Sequence, residues 1–333
     1  MCSVKTVFQQ GDCGGNPGPK EDRGTIRMYS AEQRAKAIET FARFGCSAAD
    51  TIPGTGSPKP FYALMQDSVP DLGTYGGNQC FPLCWCEKTD DLGGLFAGAG
   101  RFEKREAISD EALSVFKAAY PGLYTSRPKI KGGQGINKED ILYCIYGVPR
   151  SPEYRQRFEA NLKIELPRIP LARDFNAFVQ AGRVLADLHL NYESVEMYPI
   201  EVDGDDQNPG KVVKMKWGKK KDPETGKKVD DHSVLVYNGN LAFRGIPASV
   251  DRYVVNGRIP LEWMIDRYQV KTDKASGIVN DPNEYSDDAC YISNLIKRLI
   301  TVSVGTVEIV ETLPDLNELD QPANWPFAWK AQG

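Results

Sequence analysis

The pattern between Asp174 and Thr312 constrains the fold more than any other stretch of this sequence. Phe175, Phe178, Val179, Gly182, Leu185 and Leu188 recur at helical spacing and predict a helix over about 174–188 with one side in the core. Short runs rich in β-branched and aromatic residues follow at 195–202, 212–217, 233–237 and 241–243, and read as an antiparallel meander. Helical patterns over 261–268 and about 291–312 close the region. The β-branched run TVSVGTVEIV weakens the second, because such side chains lower helix propensity. Strands and helices segregated in this way specify an α+β fold: an antiparallel β-meander with packed helices.

Upstream the pattern is mixed. β-like runs at 61–65 and 80–85 precede helices that start at Ser109, Asn137 and Ser151, the last with Pro152 at its first position. Tyr154, Phe158 and Leu162 add an apolar stripe every four residues. Nearer the N-terminus, Ser30-Ala31-Glu32-Gln33 is a capping box, and Ala35, Ile38, Phe41 and Ala42 continue a short helical extension until Gly45.

Five strings are more specific than any periodicity: YGVPRSPEYRQRF within 146–158, ELPRIP at 165–170, ADLHLNYE at 186–193, YNGNLAFRGIP at 237–247, and VVNGR through NDPN at 254–283. In this order they resemble the C-terminal target recognition domain of type ISP restriction-modification enzymes. Those are single polypeptides carrying a nuclease, a helicase-like motor, an adenine methyltransferase and a DNA-reading domain. The resemblance runs from about Gly54 to Leu316. It implies duplex DNA as partner, either alongside separately encoded methyltransferase and helicase subunits or as the stranded end of a disrupted gene. An interaction domain that keeps the fold without DNA binding is the alternative.

Met28 to Ile52 resembles the opening helix and turn of the helix-turn-helix of insertion-sequence transposases. Pro53-Gly54-Thr55-Gly56-Ser57-Pro58 follows where a recognition helix would stand. An ordinary amphipathic helix fits the same residues. The expected organisation is a disordered, Gly/Pro-rich segment over 1–27, a truncated helix-turn-helix-like segment over 28–52, the recognition domain over 54–316, and a tail over 317–333.

With a net charge of −4 and a pI near 5.5, DNA binding requires positive charge concentrated on one surface. Lys211 to Lys228 supplies it, with eight lysines against Asp222 and Glu224, a local +6. Lys214 and Lys216 share a strand face by spacing, and Lys219, Lys220 and Lys221 with 222–226 read as a hairpin tip. Lys211, Lys214, Lys216, Lys219, Lys220 and Lys221 are candidate phosphate ligands. A solvated hairpin whose lysines keep a sheet edge soluble fits them too. Lys271, Thr272, Lys274 and Ser276, with Gly277, form a candidate phosphate clamp, although Asp273, Asn280 and Asp281 also suit a purely structural loop. Arg150, Arg155 and Arg157 are candidate base readers, since arginine forks onto guanine; they equally suit surface ion pairs.

Catalysis finds no support in the residues. There is no Asn/Asp-Pro-Pro-aromatic clamp for a flipped adenine, and NDPN lacks the second proline and the stacking ring. No G-x4-GK-[ST] loop occurs, and no Asp or Glu stands two positions before a Lys. No cofactor is expected. Cys80, Cys84 and Cys86 invite a zinc reading, but with only His189 and His232 available a fourth ligand is missing, so no metal is expected and buried reduced thiols fit better. Without a secretory signal pattern or a membrane-length apolar run, the expected setting is the cytoplasm.

Overall fold

Among the described residues, two clusters of buried apolar side chains organise the fold. The structure, a computed structural model, describes residues 49–53, 61–67, 78–89, 101–121, 135–163 and 167–319. The helix expected from Ser30 and the segment 1–27 lie outside them. Contacts divide the described chain into two compact units, one of Asp187–Thr312 and one made by residues up to Ala186 together with the segment from Leu313.

In the unit that ends at Ala186, β1 (Ala49–Pro53) is the centre of a three-stranded antiparallel sheet. It pairs with β2 (Leu64–Gln66) on one edge and β3 (Asn78–Pro82) on the other. The turn expected inside Ser47–Ile52 is therefore a strand from Ala49, and the helix-turn-helix resemblance finds no support. A local sequence match cannot see the downstream partners that claim both edges of this strand. β4 (Cys84–Thr89) and β5 (Arg101–Glu106) form a second antiparallel pair. Cys84 is buried as expected but disulfide-bonded, which corrects the reduced-thiol expectation at this position. Sequence spacing alone gives no distance between sulfurs.

The helices of this unit start where their caps predict. Ser109 caps α1 (Asp110–Ala119) by accepting from the Ala112 N–H. Asn137 and Asp140 form a reciprocal box on α2 (Lys138–Gly147), and Ser151 caps α3 (Pro152–Arg157). α4 (Phe175–Leu190) crosses α2 with no room for side chains at the contact. A Cβ on Gly182 would stand 1.9 Å from the Tyr143 carbonyl oxygen, and one on Gly147 2.5 Å from that of Phe178. Phe116, Tyr120, Ile141, Tyr154, Phe175 and Phe178 fill the core. The chain then returns after Thr312: Leu316 is fully buried in this core, its N–H donates to Glu153, and Leu319 N–H donates to the Leu171 carbonyl. Asn317 to Leu319 thus belong to the unit, so the packed chain extends past the expected tail boundary at 317.

The unit Asp187–Thr312 holds the expected antiparallel sheet, in which three consecutive strands run as a meander and the strand before them lies against the last. β6 (Glu201–Asp203), β7 (Lys216–Lys221), β8 (Lys228–Val236) and β9 (Ala242–Arg244) form an antiparallel sheet in the order β6-β9-β8-β7. Trp217, Leu235 and Phe243 from the sheet join one core with Leu261 and Met264 of α5 (Pro260–Arg267) and with Leu295 and Leu299 of α6 (Tyr291–Glu311). The α+β class stands. The strand expected at 195–202 is reduced to Glu201–Asp203, because Pro199 has no N–H to give a ladder and the preceding residues bond α6 instead. Tyr198 N–H donates to the Lys297 carbonyl, and the Thr301 hydroxyl to that of Glu196. The β-branched run stays helical through Glu311: Val302 and Val307 are buried, and the Ser303 and Thr306 hydroxyls bond carbonyls one turn back. Packing overrides propensity here. Among the described residues, no helix is long and apolar enough to cross a membrane.

Candidate nucleic-acid interface

β7 and β8 outrun their sheet. Within β8 only Val234–Val236 pair with β9, so the remainder of the hairpin, Gly218 to Asp231, is a two-stranded ribbon with no third strand among the described residues. At its root the register jumps. Trp217 faces Leu235 while Gly218 faces Asp231, leaving His232, Ser233 and Val234 as an extended bulge in β8. Gly218 permits the close approach, since a Cβ there would stand 2.8 Å from the Val234 Cβ. The bulge turns the His232 ring onto Trp217, centroids 4.5 Å apart, with Nδ1 2.8 Å from Asp251 Oδ1.

The tip of the ribbon is Asp222–Lys227, so of the residues expected there 222–226 form the turn while Lys219–Lys221 belong to the strand before it. Asp222 Oδ1 accepts from the Thr225 and Glu224 N–H groups, which hold this carboxyl below the usual aspartate range, and Gly226 closes the turn at φ +67°. Lys219, Lys220 and Lys221 lie on β7. Lys219 stands opposite Asp230 with Nζ 2.6 Å from Oδ1, Lys220 Nζ is 3.4 Å from Asp231 Oδ1, and Lys221 faces Lys228. The return strand therefore brings in two carboxylates that the window 211–228 left out. Over 211–231, eight lysines face four carboxylates, a net +4.

Lys211, Lys214 and Lys216 are exposed, while Val212, Met215 and Trp217 beside them are buried. Lys214 precedes β7, so it does not share a strand face with Lys216. Two asparagines fix this lysine-bearing segment. Asn238 Nδ2 donates to the Pro209 carbonyl at 2.7 Å and to that of Lys211 at 3.3 Å. Asn283 accepts from the Val212 N–H at 2.9 Å and donates to the Val212 carbonyl at 2.8 Å, doing the work of a neighbouring strand. The YNGN and NDPN strings thus act as clamps, a role their sequence did not disclose because each partner is distant in the chain.

A second hairpin joins the same segment through the Val270 N–H, which donates to the Val213 carbonyl. Its strands are β10 (Lys271–Thr272) and β11 (Val279–Asn280). Asp273 shapes the turn, accepting from the Ser276 and Ala275 N–H groups and the Ser276 hydroxyl, so its carboxyl is held below the usual range and Ser276 is engaged inside the loop. Thr272 and Lys274 are exposed, and Lys271 Nζ donates to the Asp266 carbonyl at 3.1 Å. Sequence reasoning passed over the apolar residues here: Ile278 is 68% and Val279 57% exposed.

The three arginines lie in the other unit. Arg150 is 5% exposed, donates to the Tyr146 hydroxyl and the Ala63 carbonyl, and sits over the Tyr146 ring. That burial removes it from the candidate base readers. Arg155 Nε donates to the Pro149 carbonyl, and Arg157 pairs with Glu318 at 2.6 Å beside the Phe158 ring.

Fold and site together define an α+β module that presents two lysine-bearing hairpins from one unit. The family described as Type ISP C-terminal specificity domain matches residues 51–295, and the chain belongs to it. No curated protein matches the chain. Among solved structures it is similar to a nuclease-deletion mutant of the Type ISP restriction-modification enzyme LlaGI in complex with a DNA substrate mimic, with TM-score 0.60, 33% identity and 82% of this chain covered. It is also similar to the ATP-dependent Type ISP enzyme LlaBIII bound to DNA, with TM-score 0.65, 34% identity and 82% covered. A DrdV–DNA complex matches with TM-score 0.62, 26% identity and 80% covered. The chain spans only 18%, 16% and 25% of those three chains, respectively.

Proposed function

We propose that this chain recognises a target sequence in duplex DNA for a restriction-modification system, without chemistry of its own, in the cytoplasm and beside methyltransferase and motor parts carried elsewhere. The observation that carries the reading is membership of the specificity-domain family, with relatives that were solved on DNA. The hairpins supply the physical means. A two-stranded ribbon fits the major groove, and lysines at Lys211, Lys214, Lys216, Lys221 and Lys274 offer cations to phosphates. Thr272 adds an exposed hydroxyl, whereas Lys219, Lys220, Lys271 and Ser276 contribute less, since each already has a partner. Arg155 and Arg157 are left as base readers only if binding releases them from Pro149 and Glu318.

Binding of the purified protein to a mixed-sequence duplex, measured across salt concentrations, tests this. About four to six phosphate contacts give a log–log slope of roughly −4 to −5. Methyl transfer from S-adenosylmethionine or DNA-stimulated ATP hydrolysis by the chain would refute the non-catalytic reading. The pairing of Lys219 and Lys220 with Asp230 and Asp231 favours a second reading, an interaction domain without DNA affinity. A flat salt profile with no retained duplex would select it.

A further inference from the structure

We propose that Ile278 and Val279, at the end of the β10–β11 hairpin, read sequence by packing against the 5-methyl group of thymine in the major groove. This rests on the DNA-binding reading above and assigns base contact to residues that no charge pattern singles out. Both side chains are more than half exposed. They project from a hairpin that is otherwise polar, with Lys271, Thr272, Lys274 and Ser276 preceding them. Exposed aliphatic side chains on a floppy loop would fold over their own backbone. This turn cannot, because Asp273 holds three donors, the Gly277 N–H returns to the Asp273 carbonyl, and Gly277 is locked at φ +71°. An ordered, exposed apolar end of this kind is a surface that a complementary partner can cover.

The surroundings select the partner. Lys271 and Lys274 share the hairpin, and Lys211 and Lys214 lie on the segment bonded to it through Val213, itself 65% exposed. Apolar carbon framed by cations complements a polyanion whose interior offers apolar groups. In the major groove the thymine 5-methyl is that group, and the groove admits a two-stranded ribbon. Arg150 is buried and Arg157 is paired with Glu318, so the obvious guanine readers of the other unit do not compete for this role.

The test uses the whole chain and the duplex enriched by it from a random pool, remade with deoxyuridine at each thymine in turn. The wild-type protein should lose about fourfold in affinity at one or two positions, the worth of one buried methyl. Ile278→Ser or Val279→Ser should lose a similar factor on the thymine duplex and nothing further on uracil at that position. Both variants should melt as the wild type does, since the side chains are exposed. Equal affinity for every thymine and uracil duplex overturns the proposal. So does an unchanged preference in the double serine variant, which would assign the apolar end to a protein contact. Failure to retain any duplex, with no salt-dependent binding, brings down the DNA reading along with it, and is distinct from binding that ignores the methyl.

Discussion

Lys219 and Asp230 face one another across the β7–β8 ladder, with Nζ 2.6 Å from Oδ1. That register decides how much positive charge the ribbon can offer a phosphate. An exposed pair of this kind adds little stability, typically below about 1 kcal/mol, but it already neutralises the lysine. Replacing Lys219, Lys220 and Lys221 together by Ala should therefore flatten the salt slope by about 1, chiefly through Lys221. The sequence count alone would give about 3.

The complementary change should act the other way. Asp230→Asn with Asp231→Asn frees two lysines and removes two charges that repel phosphate, so duplex affinity should rise and the slope steepen by up to about 2. Titrations of both variants at several salt concentrations decide it. An unchanged slope would place the ribbon away from DNA.

Gly182 gives a stability test in the other unit. An Ala Cβ would collide with a backbone carbonyl, which cannot rotate away, so α2 and α4 must separate. Gly182→Ala should cost at the upper end of the roughly 1–3 kcal/mol of overpacking, read as a lowered urea midpoint. An unchanged midpoint would mean the crossing is looser than described.

The parts of the fold that were legible in the sequence are those fixed by local chemistry. Ser109, Asn137 and Ser151 announced their helices because a cap needs only its own next three residues. The antiparallel strands were legible from short β-forming runs, and the lysine hairpin from composition. What was hidden depends on distant partners. Ala49–Ile52 reads as the turn after a helical segment until β2 and β3 bracket it. Arg150 looks like a surface arginine until Ala63 and Tyr146 enclose it. Asp230 and Asp231 fall just beyond the basic window, yet a hairpin folds them back onto it.

The central position of β1 makes truncation informative. A chain beginning at Ser47 keeps all three strands, whereas one beginning at Gly54 loses the strand that both β2 and β3 pair with, exposing two edges at once. The shorter chain should aggregate or melt several degrees lower, and the longer should not. Equal melting would show that the three-stranded sheet adds nothing to the unit.

Asp273 carries the pH test. Hydrogen bonds from Ser276 and Ala275 favour its ionised form, so its folded pKa lies below the unfolded value of about 3.9. The unfolded state then binds the proton more readily. The carboxylate's contribution is fully present above the unfolded value and is lost as pH falls through the lower folded one. The β10–β11 turn should thus be ordered at neutral pH and loosen only in acid. In Asp273→Ala it should be loose at all pH values, seen as faster amide exchange at Ala275 and Ser276 near pH 7. If Ile278 and Val279 depend on that rigidity, the same variant should lose discrimination between thymine and uracil while keeping its salt slope. A carboxyl that titrates at or above the unfolded value would refute the assigned hydrogen bonds.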